Sequence, residues 1–264
     1  SVVPSRNSEK CSLRDRPLIG EGRRGVELSE ATAAVERVGT GGAVVMLALL
    51  AAALASPEPV VATVTPDSLL TITRLQYEGG GDWYANPSSL PNLLTEIRVR
   101  TGLPISGQPQ TIRPLDPSLK DHPYLYMTGH GNVRFSPEER VALREHLISG
   151  GFLHADDNYG MDKSFRREMK NVFPEKDWVE LPLDHPVFNI YYDFPNGLPK
   201  VHEHENNRPQ ALGLFNEGNL MVLYTFESDL GDGWEDPKVH NDPEDIRQSA
   251  LEMGTNIILY ALSR

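Results

Sequence analysis

His130, Asp156 and Asp157 are the side chains whose types and setting point most directly to chemistry. An imidazole titrates near neutrality and can act as base, acid or ligand, and a carboxylate can partner it. His130 lies in Thr128-Gly129-His130-Gly131-Asn132, directly after the apolar run Tyr124-Leu125-Tyr126-Met127. Asp156 and Asp157 follow a second short run, Phe152-Leu153-His154-Ala155. Between the runs, Ser136-Pro137-Glu138-Glu139 has the form of a helix start, with a capping box from Ser136 to Glu139. Leu143, Leu147 and Ile148 give that helix an apolar face, and Gly150-Gly151 ends it. Strands joined through a helix pair in parallel, and parallel sheets hold ligands beyond the carboxyl ends of their strands. His130 and the two aspartates are therefore predicted to share one rim. Adjacent side chains diverge, so one aspartate can enter the crevice while the other is free to cap the next helix.

Other clusters carry less specific signals. Gly79-Gly80-Gly81-Asp82-Trp83-Tyr84 follows a predicted first strand, Leu69 to Leu75, but matches neither phosphate-binding glycine pattern. Gly80, Asp82 and Trp83 are instead read as the rim of a small-ligand or sugar site, with Trp83 as a lid over the sheet edge the competing reading. His202-Glu203-His204-Glu205 is dense in metal-ligand types without forming H-E-x-x-H. On an extended segment both histidines share a face, and His185 or Asp184 is the third ligand to consider. The expectation is a solvated loop, and no metal site or cofactor is assigned. Glu227, Asp229, Asp232, Glu235 and Asp236 do not follow calcium-loop spacing and are likewise read as a solvated acidic loop. No G-x-S-x-G elbow occurs to support a standard hydrolase triad.

A formal net charge of -12 disfavours nucleic acid as a partner. The uncharged run 43–55 is too short to span a bilayer but has the length of a signal-peptide core, with Ala53-Leu54-Ala55 as a cleavage site. Residues 1–42 are expected to be a leader or a start assigned too early, 56–68 a Pro-rich linker, and 69–264 one domain. The single cysteine, Cys11, lies in the leader, so the domain can form no disulfide and has no thiol nucleophile. Further elements are a helix from Ser89 to Arg100, a strand at Thr111 to Arg113, and a helix capped by Asp162. A strand at Trp178 to Leu181, a hairpin around Asn216-Glu217-Gly218-Asn219, and a final helix capped at Asp242-Pro243 complete them. This alternation predicts an α/β domain with a parallel sheet covered on both faces.

Several segments together resemble a bacterial family called domain of unknown function 4159. They are Gly79 to Tyr84, Tyr126 to Asn132, Leu143 to Asp157, Phe165 to Glu168, Pro182 to Phe188, Tyr192-Asp193 and Asp229 to Glu235. The family is similar to the class I glutamine amidotransferase-like fold, which implies a flavodoxin-like three-layer sandwich with a mainly parallel sheet. Amidotransferases of that fold carry a cysteine on a strand-to-helix elbow. The corresponding strand end here is Phe152 to Asp157, without cysteine, so thiol-based activity is expected to be absent. The resulting expectation is an exported, non-catalytic module that binds a small polar ligand, a glycan or an envelope partner. The ligand would lie against Gly80, Asp82, Trp83, His130, Asp156 and Asp157. The alternative is a hydrolase using His130 with Asp156 or Asp157, metal-assisted or not.

Overall fold

The computed structural model describes residues 70–264; the expected leader, signal core and linker, together with Cys11 and Leu69, lie outside them. The strands are β1 (Thr73–Leu75), β2 (Gln110–Ile112), β3 (Tyr124–Met127), β4 (Phe152–Asp156), β5 (Val179–Glu180), β6 (Gln210–Asn216) and β7 (Asn219–Phe226). The helices are α1 (Ser89–Thr101), α2 (Pro137–Ile148), α3 (Asp162–Val172), α4 (Leu230–Gly233), α5 (Pro237–His240) and α6 (Glu244–Ser263). No described helix is long and apolar enough to cross a membrane.

The seven strands form one mixed sheet in the order β2-β1-β3-β4-β7-β6-β5. β2, β1, β3, β4 and β7 pair in parallel, whereas β6 runs antiparallel to both β7 and β5. The antiparallel edge has a local cause. β6 and β7 are joined through Glu217 and Gly218, both at positive φ (50° and 85°). A turn this tight joins only antiparallel strands, and two positive φ values match the right-handed twist of the strands it connects.

Successive residues of the central strands serve two cores. Tyr124, Tyr126 and Phe152 join a cluster with Leu90, Leu94 and Ile97 of α1 and Ile257 of α6. Leu125, Met127, Leu153 and Ala155 join another with Leu143 and Leu147 of α2 and Phe165 of α3. Side chains alternate across a strand, so a strand buried on both faces reads as an unbroken apolar run.

Ser136 caps α2 as expected: its hydroxyl accepts from the Glu139 backbone N–H at 3.2 Å, and the Glu139 carboxylate accepts from the Ser136 N–H at 2.7 Å. Ser136→Ala removes one half of this pair and is expected to cost about 1 kcal/mol of stability, read as a lower urea midpoint at unchanged slope. Two expected caps are not formed. Met161 rather than Asp162 is the cap residue of α3, and α6 starts after Pro243 with no side-chain cap. Asp162 instead pairs with Arg166, and Asp242 is engaged by His202. The first strand is also shorter than expected, with Leu70 making only an isolated bridge to Ile105.

Glu168 of α3, 1% exposed, ties the loop after β3 to the helices. It accepts from Arg140, Arg167 and the Phe135 backbone N–H. Burial alone would raise its pKa, but the hydrogen bonds from Arg167 and Arg140 hold the carboxyl below its ordinary value.

Candidate functional site

Neither His130 nor the Asp156–Asp157 pair forms a common centre. His130 is exposed and hydrogen-bonds through Nδ1 to Asp82 Oδ2 at 3.0 Å, while its backbone N–H donates to Asp82 Oδ1. Gly80 is exposed, and Trp83 is half-buried against the second core with its ring edge-on to Tyr84 at 5.5 Å. Asp156 accepts from the Thr225 hydroxyl at 2.5 Å and the Gly231 backbone N–H at 2.7 Å. Asp157 accepts from the Met161 backbone N–H at 3.3 Å, at the entry to α3. The two aspartates thus diverge, and His130 hydrogen-bonds to neither among the described residues. The convergent triad required by the hydrolase reading is not formed.

Convergence occurs elsewhere on the same edge, where the loops after β1, β4 and β7 meet the segment before β6. The loop after β7 is not the solvated acidic loop expected: Glu227, Asp229, Asp232 and Glu235 are all buried. Trp234, fully buried, explains this. Its indole packs against Tyr126 and His154 and donates to the Ala250 carbonyl at 2.8 Å, drawing α4 onto the core. The carboxylates on α4 and its entry are carried inward with it.

His202 and His204 approach from the other side. The backbone N–H of Val201 donates to the Ser228 carbonyl at 2.9 Å, and the Ser228 hydroxyl donates to the Pro199 carbonyl at 2.6 Å. This short lacing sets both histidines over Asp229 and Asp232. His202 Nδ1 lies 2.9 Å from Asp232 Oδ2, and its Nε2 lies 2.9 Å from Asp242 Oδ1. The hydrogen bond to Asp232, opposed by burial and helped by Asp242, pushes the His202 pKa up to about 9. His204 Nε2 contacts Asp229 Oδ2, and its ring stacks on Tyr159 at 4.6 Å. His240 completes the group, with Nε2 at 3.3 Å from Glu235 Oε2. His185 and Asp184 do not join it: His185 accepts from the Val187 N–H at the start of a 3-10 turn and packs on Tyr260, while Asp184 is exposed.

The electrostatics follow from crowding acids in a dry place. Burial pushes Asp156 up to about 7 and Asp157 up to about 6. Burial, then the neighbouring Asp156 and Asp232, pushes Asp229 up to about 9. Burial and the charge of His202 lower the pKa of His204, which lies against Asp229. Asp232 goes the other way: despite burial, His202, His240 and Asn86 hold it below its ordinary value.

Sequence reasoning did not find Arg74, Asn86, Tyr126 or His154. Arg74, buried in the middle of β1, donates to the carbonyls of Trp83, Ala85 and Asn86. This wraps the glycine-rich loop and turns Asn86, at φ 56°, inward. Asn86 Nδ2 then donates to Asp232 Oδ1 at 2.6 Å and Asn158 Oδ1 at 3.3 Å. His154 bridges Tyr124 and Thr225, each at 3.1 Å, and burial lowers its pKa to about 3. A methyl at Gly231 would lie 2.7 Å from the Tyr126 hydroxyl, 2.9 Å from Asn86 Nδ2 and 3.1 Å from Asp156 Oδ2, so only glycine lets these groups close on one point. A histidine inside an apolar strand and an asparagine after a glycine-rich turn were the available signals.

Three buried polar atoms here have no hydrogen-bond partner among the described residues: Tyr126 Oη, Asn158 Nδ2 and Asp229 Oδ1. Non-glycine residues at positive φ also gather around them: Asn86, Tyr159, Glu227 and Asp229. Such backbone is costly and persists where surrounding contacts hold it. An adjoining cleft of about 320 Å³ is lined by Asp157, Tyr159, Asp162, Lys163, Glu205 and Glu227, among others. A larger cleft, about 410 Å³, lies at the opposite edge, where Leu147, Ile148, Met221 and Leu262 line it and Arg264 is its one ionisable side chain. Of the unpartnered buried side-chain atoms among the described residues, all but His146 Nε2 lie at the carboxyl ends of the strands.

Comparison with curated proteins finds no match. The family described as "Domain of unknown function (DUF4159)" matches residues 71–262. That span takes in every strand and helix contributing to the pocket, and the chain belongs to the DUF4159 family.

Proposed function

We propose that this chain is a binding module for a small polar ligand, held at the cleft lined by Asp157, Tyr159, Asp162, Lys163, Glu205 and Glu227, beside the buried cluster of Tyr126, Asn86, Asn158, Asp156 and Asp229. The observation that carries this reading is the set of buried, unpartnered atoms Tyr126 Oη, Asn158 Nδ2 and Asp229 Oδ1. A buried polar group without a partner costs about 1–3 kcal/mol, and groups of this kind are what a polar ligand satisfies. The module reading is favoured over the hydrolase because His130, Asp156 and Asp157 are held by separate partners.

A flavodoxin-like, three-layer placement of the fold belongs to this proposal. Its support is the order β2-β1-β3-β4-β7 of the parallel strands, with a helix pair packed on each face. In that arrangement ligands bind beyond the carboxyl ends of the strands, where this pocket lies. An exported location, with a glycan or envelope component as the ligand, is supported by the apolar run 43–55 alone.

The test is equilibrium binding of a panel of short glycans, amino sugars and polar metabolites to the wild type and to Tyr126→Phe and Asn86→Ala. A ligand bound by the wild type and held about tenfold more weakly by either variant supports the reading, the size expected for one lost hydrogen bond inside a dry site. A panel with no binder, or one whose binding responds only to Asp82 or Trp83 substitutions, overturns it.

A further inference from the structure

We propose that His202, His204 and Asp229 form a binding site for one divalent transition-metal ion, with zinc the ion best matched to the donors. This goes beyond the pocket reading by naming an inorganic ligand and the atoms that take it.

One ligand atom from each of His202, His204 and Asp229 can be chosen so that all lie within 4.8 Å of one another. Zinc bonds to imidazole nitrogen and carboxylate oxygen are about 2.0–2.2 Å long, so two ligands of one tetrahedral ion lie about 3.3–3.6 Å apart. Side-chain rotations that draw these atoms together by up to about 1 Å close the set. Two imidazoles and one carboxylate form a borderline donor set that favours zinc over magnesium or calcium, which prefer all-oxygen cages. A further coordination position is left for water or for an oxygen of a bound ligand.

Two independent observations separate this set from an ordinary acidic cluster. The first is Asp229 itself. Its side chain is 1% exposed, yet Oδ1 has no hydrogen-bond partner while Oδ2 meets His204. A dry carboxylate with one idle oxygen beside two imidazoles is a ligand arrangement, because a protein gains nothing by leaving that oxygen unsatisfied.

The second is the support around His202. Both ring nitrogens are held by carboxylates, Nδ1 by Asp232 and Nε2 by Asp242, each at 2.9 Å. Whichever nitrogen turns to a metal, the other keeps an acid partner that orients the ring and raises its basicity. Carboxylate–histidine–metal pairing of this kind is the usual outer support of zinc ligands. The other triplet, His202, Asp232 and His240, shares His202 and has both of its remaining members engaged, Asp232 by Asn86 and His240 by Glu235. Both oxygens of Asp232 are taken, by Asn86 and His202, so unlike Asp229 it has no idle carboxylate oxygen.

The experiment uses the full chain, stripped with chelator and titrated calorimetrically with zinc chloride, then with magnesium and calcium chloride. One zinc per chain is expected, with magnesium and calcium at least a hundredfold weaker. His204→Ala and Asp229→Ala should each weaken zinc at least a hundredfold. Because Asp229→Ala can also disturb the fold, cobalt substitution of the wild type supplies a second reading: its visible absorption should report a low-coordinate nitrogen and oxygen site and change in His204→Ala. No stoichiometric zinc, or zinc retained in His204→Ala but lost in His130→Ala, overturns the assignment. Failure with zinc alongside a positive ligand panel would sink this inference and leave the pocket reading standing.

Discussion

Asp156→Asn is expected to make the protein more stable at pH 8 and to leave it nearly unchanged at pH 4. The Asp156 carboxyl is fully buried, and burial, reinforced by Asp232 and Asp157, pushes its pKa up to about 7 against the Thr225 and Gly231 hydrogen bonds. A carboxyl raised in the folded state favours folding only while it is protonated. Its contribution is complete below pH about 4, where the unfolded chain also binds the proton, and is lost as pH rises through about 7. Asparagine stays neutral throughout and reproduces the protonated acid. Its carbonyl can accept from the Gly231 N–H, and its amide can donate to Thr225 Oγ1, whose own proton can pass to the Ala155 carbonyl 3.3 Å away. Raising a carboxyl from its ordinary value to about 7 corresponds to roughly 4 kcal/mol as a ceiling, and structural relaxation will leave a part of it. Urea denaturation of both proteins in chelator from pH 4 to pH 8.5 checks this. Parallel curves for the two proteins across that range would show that Asp156 is ionised in the fold.

Trp234→Ala should cost about 3–5 kcal/mol, the range for truncating a large buried aromatic. The side chain is 0% exposed, packs on Tyr126 and His154, and closes against Gly254 of α6. A methyl at Gly254 would come within 2.9 Å of the indole, so the helix approaches here as only glycine permits. Loss of the ring also removes the tie that carries Asp229 and Asp232 inward. Zinc binding and ligand binding should therefore fall in the variant even at temperatures where it remains folded. Circular dichroism melts paired with the binding titrations read both effects. A variant as stable as the wild type would mean that α4 is anchored by something other than its tryptophan.

Residues around Tyr124 to Asp157 show why part of this molecule was legible beforehand. The apolar runs of β3 and β4, the Ser136–Glu139 capping box and the double glycine after α2 are local signals, each readable within a few residues. The same holds for the hairpin at Glu217-Gly218 and the buried face of α1. The family resemblance, carried by ordered short segments, also pointed to the family that matches.

The site was legible only as a neighbourhood. Its position at the carboxyl ends of the strands follows from strand–helix–strand order, which the chain declares locally. Its membership does not. His204 meets Asp229, His202 meets Asp232 and Asp242, and Asn86 meets Asp232, across loops with no apolar period to register them. Asp82 captures His130 for a similar reason: the glycine-rich loop lies along the loop after β3 through backbone bonds that no residue type announces.

By itself, then, the amino-acid sequence determined the kinds of elements, most of their boundaries and the edge of the sheet where polar groups collect. Only the tertiary structure decided which of those groups meet and which lie buried. The acidic loop after β7 turned inward because Trp234 gains more by leaving water than the flanking acids lose, once histidine, asparagine and backbone partners receive them. That balance is struck between residues far apart in the chain, which is why the spacing of the acids alone could not express it.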